Sequence, residues 1–82
     1  MMVLERGEPG VPAPTGLIQL PYLRAWRAHA LRQQQDVAHA AKVSKATMIR
    51  AEAGRPVTVL TAARIARELG VTVEQLQSEK PS

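Results

Sequence analysis

Basic side chains that could bind a polyanion are concentrated in the middle of this sequence. Between Leu23 and Arg55 there are seven of them, opposed by only two acidic side chains, Asp36 and Glu52, so the stretch carries a net charge of +5. The seven are Arg24, Arg27, Arg32, Lys42, Lys45, Arg50 and Arg55. A concentrated basic region on a small domain favours a nucleic-acid partner, although mild basicity also serves solubility.

Lys45 and Arg50 have the placement that reading a DNA groove would require. Ser44 can cap a helix through its hydroxyl, and Met48 and Ala51 supply an inward-facing pair one turn apart. The side chains left to point outward are Lys45, Ala46, Ile49, Arg50 and, in part, Thr47. A guanidinium at this place can bond a guanine edge or a phosphate, and an isoleucine can meet a thymine methyl or be partly buried.

The elements around this helix are also predicted to be helical. Pro21 suits the first turn of a helix whose inward face would be Leu23, Trp26 and Ala30. A second helix begins near Gln33 or Gln34. Its inward positions would be Val37, Ala38 and Ala41, followed by a short turn at Lys42 and Val43.

Local signals also end the third helix and define two more. Gly54 can end the third in a left-handed conformation, and Pro56 prevents its continuation. Thr58 can cap a fourth helix, and Thr72 with Gln75 fits a capping box for a fifth. The inward residues would be Ala62, Ile65, Ala66 and Leu69 on the fourth helix, with Val73 and Leu76 on the fifth. No alternating pattern predicts a strand.

The sequence gives little support for metal binding, cofactor binding or catalysis. There is no cysteine, and His29 and His39 have no acidic or histidine partner at ligand spacing, so neither a metal nor another cofactor is expected. No nucleophile, base and orienting group form a set, so we expect no enzyme. The first ten residues lack the pattern of a signal peptide and no apolar run could span a bilayer. We therefore expect a cytoplasmic, nucleoid-associated protein without a membrane partner.

Four segments together resemble the Cro/C1-type helix-turn-helix, or Xre, family of phage repressors and related bacterial regulators. They are LRAWR, QQDVAHAAKVS, KATMIRAEAG and ARIARELGVTVEQL, which occur in the family's order between about Leu23 and Leu76. The resemblance implies a compact five-helix all-α domain, like that of lambda repressor. The sequence departs from the family at three positions. Leu31 and Lys42 stand where the family usually has glycine, and Arg32 stands where it usually has an apolar residue.

The resemblance assigns roles to individual residues. It implies a sequence-specific, repressor-like regulator that places the helix 44–53 in the major groove of double-stranded DNA as a homodimer. Gln34 and Arg55 match phosphate contacts of the family, and Arg27 and Glu52 match a structural pair that links the first helix to the third. The full set of expected DNA-contacting residues is Gln34, Ser44, Lys45, Ala46, Thr47, Ile49, Arg50 and Arg55.

The expected organisation is a flexible leader at 1–19, the helix-turn-helix domain at 20–78 and a tail at 79–82. Three prolines and three glycines in the first sixteen residues suggest the leader. An alternative function stays open: an antitoxin or adaptor of the same fold whose main partner is another protein. The basic, acid-free outward face of the third helix argues against a pure adaptor.

Overall fold

The structure, a computed structural model, describes residues 16–82 and contains five helices and one short strand pair in that range. The part of the predicted leader that precedes Gly16 lies outside the described residues. The helices are α1 (Leu23–His29), α2 (Gln34–Ala41), α3 (Lys45–Glu52), α4 (Val59–Leu69) and α5 (Val73–Ser78). The strands are β1 (Leu17–Ile18) and β2 (Val57–Thr58). The all-α prediction is confirmed.

The predicted helix caps are confirmed. The Ser44 Oγ accepts a hydrogen bond from the Thr47 N–H at 3.0 Å, and Thr58 does the same for Thr61 at 3.1 Å. Thr72 and Gln75 form a complete capping box at the start of α5. These oxygens satisfy N–H groups that the first turn of a helix leaves without partners, which is why α3, α4 and α5 begin where they do.

Helices α3 and α4 are each followed by a glycine with positive φ, Gly54 at +86° and Gly70 at +70°. A residue with a side chain would be strained in this conformation. After Gly70, the N–H of Val71 bonds back to the carbonyl of Ala66 at 3.0 Å, and after Gly54 that of Arg55 bonds to Arg50 at 3.0 Å. Both chain reversals are therefore hydrogen-bonded.

The core lies where α2 packs against α3 and α4, with α5 closing it from the C-terminal side. The predicted inward residues of α2, α3 and α4 are buried, apart from Leu69, which is partly buried against the core. Alanine at two of the three inward positions of α2 leaves room for neighbouring helices to come close. The buried apolar residues are Leu20, Leu23, Val37, Ala38, Ala41, Met48, Ala51, Val57, Ala62, Ile65, Ala66 and Leu76.

The predicted inward face of α1 is wrong at Ala30. The helix ends at His29, so Ala30 is the C-cap residue and is exposed. Trp26 is half-buried against the core, and its indole Nε1 donates to the carbonyls of Gln75 at 3.2 Å and Glu79 at 2.8 Å. The indole thus satisfies carbonyls at the end of α5 and fixes α1 to that helix.

The strand pair was not predicted. Leu17 pairs with Thr58 and Ile18 with Val57 in antiparallel register. Two-residue strands are too short to show alternation, and their pairing joins segments that are far apart in the chain. Ile18 also packs against the core, although the sequence assigned it to the leader.

Candidate nucleic-acid interface

Helix α3 presents a basic outward face. Met48 and Ala51 are completely buried and hold the helix against the core. Lys45 and Arg50 are exposed on the same helix, and Ile49 between them is 47% exposed. Because two buried residues fix the helix, the outward side chains have a defined position relative to the rest of the domain. The remaining outward residues are Ala46, which is exposed, and Thr47, which is half-buried.

The exposed side of α3 carries its own hydrogen-bond chain. The Ser44 hydroxyl donates to the Thr47 Oγ1 at 2.8 Å, and the Arg50 Nη2 donates to the same oxygen at 3.2 Å. Thr47 thus connects the helix cap to a guanidinium one turn later. This contact uses one of the five N–H groups of Arg50 and leaves the others available for a ligand.

Arg27 on α1 and Glu52 at the end of α3 form a two-pronged ion pair. The Arg27 Nε donates to one carboxylate oxygen of Glu52, and its Nη2 donates to the other at 3.1 Å. Their side chains are 18% and 7% exposed, so both are largely shielded from water. The Arg27 Nη1 also donates to the Arg32 carbonyl at 2.9 Å, which ties the pair to the loop before α2.

Gln34 joins this pair from the first turn of α2. Its Nε2 donates to the Glu52 Oε1 at 3.1 Å, so a single carboxylate holds side chains from α1 and α2. An amide nitrogen has two hydrogens, and this bond leaves one of them free to donate elsewhere. We call Arg27, Gln34 and Glu52 the helix-joining cluster.

The hydrogen bonds that Arg27 donates to the Glu52 carboxylate, together with the negative charge of that carboxylate, raise the pKa of the Arg27 guanidinium against the opposing effect of burial. A raised pKa on a basic group means that the charged form persists to higher pH in the folded state than in the unfolded state. The contribution of this shift to stability is therefore complete below the ordinary pKa of arginine and is lost only as the pH rises through the folded value. The charge on Arg27 is thus constant across neutral pH.

A cleft of about 290 Å³ opens between α1, α2 and α3, next to the helix-joining cluster. Besides the cluster it is lined by Arg24, Ile49 and Ala53. Arg24 therefore stands at the same opening as Gln34 and the outward face of α3. The sequence places Arg24 in the basic stretch and in the segment LRAWR, but neither of these assigned it a DNA contact. Arg24 lies three residues before Arg27 and therefore on the same side of α1, and this spacing could have indicated that Arg24 lies near the cluster.

The family model described as helix-turn-helix matches residues 23–76, about two thirds of the chain. The chain belongs to the Cro/C1-type helix-turn-helix family. The family consists of DNA-binding transcription regulators. Residues 42–44 join α2 to α3 in a short turn, so these two helices form the helix-turn-helix and α3 is its second helix. Neither the curated proteins nor the solved structures contain a significant match to the chain.

This helix-turn-helix domain has left-handed residues at two positions where the resemblance implies glycine. Leu31 has φ of +57° and Lys42 has φ of +61°, both left-handed. Left-handed geometry is unfavourable for residues with a side chain, and Leu31 is in addition 92% exposed. The surrounding turns therefore impose this conformation at both places.

Arg32, at a place where the family usually has an apolar residue, connects two elements of the domain. Its Nη1 donates to the Glu68 carbonyl at 3.3 Å, and its Nη2 lies 3.7 Å from the Glu68 carboxylate. Glu68 is half-buried near the end of α4. The Arg32 guanidinium thus connects the loop before α2 to the end of α4 through polar contacts. An apolar side chain at this position could connect the two elements only by being buried between them.

Arg55 and the two histidines all lie on the surface of the domain. Arg55 is exposed just beyond α3, in a loop whose Gly54 carbonyl accepts a hydrogen bond from the Gln19 Nε2 at 3.0 Å. His29 and His39 are exposed. Within residues 16–82, no three histidine or acidic side chains are grouped as a metal site, and no helix is long and apolar enough to cross a membrane.

Proposed function

We propose that this protein binds double-stranded DNA sequence-specifically, with α3 in the major groove, and represses transcription by occupying its site. The observation that carries the proposal is the outward face of α3, which is basic, free of acidic side chains and fixed by two buried residues. A helix presented in this way fits a major groove about 12 Å wide. Repression needs only that the bound domain exclude other proteins from the site.

The contacts divide into those that read bases and those that hold phosphates. Arg50 is proposed to grip the O6 and N7 of a guanine, and Lys45 to bond a base edge or a phosphate. Ile49 would meet a thymine methyl, and its half-exposed side chain is compatible with this role. Ser44, Ala46 and Thr47 would face the groove from the first turn of α3.

Gln34 and Arg55 are proposed to hold phosphates on either side of α3. Gln34 begins α2, and its remaining amide hydrogen would donate to a phosphate oxygen. The helix-joining cluster would then set the orientation of this amide relative to α3. Arg24 is proposed as a further phosphate contact, because it lines the same cleft as Gln34.

A test should separate recognition by α3 from general attraction to a basic protein. The double variant Lys45→Ala with Arg50→Ala removes two charges from α3. A matched variant, Arg64→Ala with Arg67→Ala, removes two charges from α4, where both side chains are exposed. A pool of random duplexes is titrated with each protein at two salt concentrations, and the bound sequences are read.

We expect the wild-type protein and the α4 variant to select the same sequences, with an affinity that falls as salt rises. The α3 variant should lose both the selection and most of the affinity. Equal losses in the two variants would reduce the interaction to charge attraction. No affinity of the wild-type protein for any duplex would contradict the proposal as a whole.

A further inference from the structure

We propose that a second cleft, between the end of α2 and α4, binds an acidic segment of a partner protein. The cleft has a volume of about 330 Å³ and is lined by three basic side chains, Lys42, Arg64 and Arg67. Its other lining residues are Ala40, Ala41 and Glu68. We call this site the basic cleft.

The three cations of the basic cleft are available to a ligand. All three are exposed, and no ion pair between residues 16–82 involves any of them. Arg64 and Arg67 are three residues apart on α4, so they lie on the same side of that helix. A guanidinium can bind a carboxylate through two parallel hydrogen bonds, and the lysine ammonium adds a further positive charge. This set of donors therefore suits carboxylates.

Lys42 brings its charge to the basic cleft from the turn that follows α2. Its φ of +61° is left-handed, a conformation that glycine adopts without strain and that is unfavourable for lysine. No ion pair among the described residues offsets this strain. Contact with an anionic ligand would give this exposed side chain a role that the fold itself does not.

Small side chains on α2 keep the basic cleft open. Ala40 is exposed and Ala41 is 5% exposed, and both line the cleft. A carboxylate can therefore approach the cations without displacing a bulky side chain of α2. Exposed ion pairs contribute little one at a time, so a single carboxylate would bind weakly. The partner must carry several carboxylates close together in its chain.

Glu68 favours a peptide over a nucleic-acid strand as the ligand. The Glu68 Oε1 lies 3.7 Å from the Arg32 Nη2, and the residue lines the basic cleft. A carboxylate only accepts hydrogen bonds. A peptide can donate to it from a backbone N–H, whereas phosphate oxygens have no hydrogen to donate and carry the same charge.

The basic cleft lies apart from the proposed DNA-binding face, and this step rests on the proposed function. Gln34 begins α2, and the cleft lies at the opposite end of that helix, about 10 Å away along its axis. No residue of α3 is among the described residues that line the cleft. A partner bound there would leave the outward face of α3 uncovered, so the protein could hold DNA and the acidic segment together.

The test compares two variants that lose the same charge at different places. Arg64→Ala with Arg67→Ala removes two charges from the basic cleft, and Lys45→Ala with Arg50→Ala removes two from α3. The probe is a short labelled peptide rich in aspartate and glutamate, and the control peptide has each acid replaced by its amide. Fluorescence anisotropy measures the binding of each peptide to the full-length proteins without DNA, and circular dichroism checks their fold.

We expect the acidic peptide to bind the wild type and the α3 variant with similar affinity, and the amide peptide to bind neither. The cleft variant should bind the acidic peptide about 10-fold more weakly or worse, as expected for the loss of charged hydrogen bonds. Lys42→Gly should also weaken peptide binding, while the relief of backbone strain raises the melting temperature. Equal losses in the cleft and α3 variants, or no binding of the acidic peptide to the wild type, would overturn the proposal.

A second measurement decides between a peptide and DNA as the ligand of the basic cleft. A duplex of the selected sequence should bind the cleft variant as tightly as the wild type. A loss of duplex affinity as large as that of the α3 variant would make the cleft a second DNA contact and overturn the proposal. If no duplex binds any of the proteins, the proposed function fails, while the peptide titrations still decide whether the cleft binds an acidic segment.

Discussion

Both oxygens of the Glu52 carboxylate accept hydrogen bonds from the Arg27 guanidinium, which joins the end of α3 to α1. The Oε1 of Glu52 also accepts from the Gln34 amide, so one carboxylate connects three helices. The helices α1, α2 and α3 are thus connected at Glu52, beside the outward face of α3. The position of Gln34 relative to α3 depends on this connection.

Loss of the Glu52 carboxylate should lower the free energy of unfolding. We expect Glu52→Ala to cost about 1–3 kcal/mol, between the values for exposed pairs and for buried ones. The Arg32 carbonyl keeps one hydrogen bond with the remaining guanidinium, which limits the loss. Urea unfolding of Glu52→Ala and of Glu74→Ala, whose side chain is exposed on α5, measures the difference. Equal small changes would mean that the pair contributes nothing to folding.

Gln34 should matter for DNA affinity, whereas its neighbour should not. Gln34→Ala removes one proposed phosphate contact, so affinity should fall about 2- to 10-fold, the equivalent of one hydrogen bond. The fall should be the same on preferred and scrambled duplexes, because a phosphate carries no sequence information. Gln35→Ala alters an exposed glutamine that makes no bond to Glu52 and is the control. A similar loss of DNA affinity in both variants would show that Gln34 does not make the proposed phosphate contact.

Arg50 and Arg55 should differ in their effect on specificity. Arg50→Ala is expected to weaken binding to the preferred site about 5- to 150-fold more than binding to random DNA, the range for a bidentate guanine contact. Arg55→Ala should weaken both alike and reduce the salt slope by about one phosphate contact. Affinities for selected and scrambled duplexes at one salt concentration give the ratio. An unchanged ratio in Arg50→Ala would make this residue a phosphate contact, and the outward residues before it in α3 would have to read the sequence.

Leu31→Gly should raise the free energy of unfolding by about 0.5–1 kcal/mol, because glycine adopts a φ near +57° without strain. The leucine side chain is almost fully exposed, so its removal sacrifices little burial. Ala30→Gly is the matched change, at a residue with φ of −81°, and should lower stability by about 0.5–1 kcal/mol. Thermal or urea unfolding distinguishes the two. A loss of stability in both variants would show that Leu31 makes a contact that outweighs the strain.

Much of the fold could be predicted because its signals are local. The caps at Ser44, Thr58 and Thr72 act within one helical turn, and so does the left-handed glycine at position 54. The inward residues of α2 and α4 follow from helical spacing alone. The inward face of α1 was predicted one residue too far, since the sequence contains no glycine to mark the end of that helix before Leu31.

Long-range contacts could not be derived from such signals. The bond between Arg32 and Glu68, the pairing of Leu17 with Thr58 and the indole contact of Trp26 each join residues more than thirty positions apart. No periodicity or cap connects such residues, and their contact exists only once the helices have packed. The same holds for Arg24, which becomes a candidate contact only because the folded chain places it on a cleft with Gln34.

The sequence by itself determined the five helices, the caps of α3, α4 and α5 and the basic outward face of α3, because backbone capping and side-chain spacing act over a few residues. Its motif spacing was also sufficient to indicate the helix-turn-helix family, since the caps and small residues of that motif lie close together in the chain. Only the tertiary structure decided that Glu52 binds Gln34 as well as Arg27, and that Leu17 and Ile18 pair with Thr58 and Val57 in a short strand pair. Those relationships depend on the packing of helices from distant parts of the chain, which short-range signals do not encode.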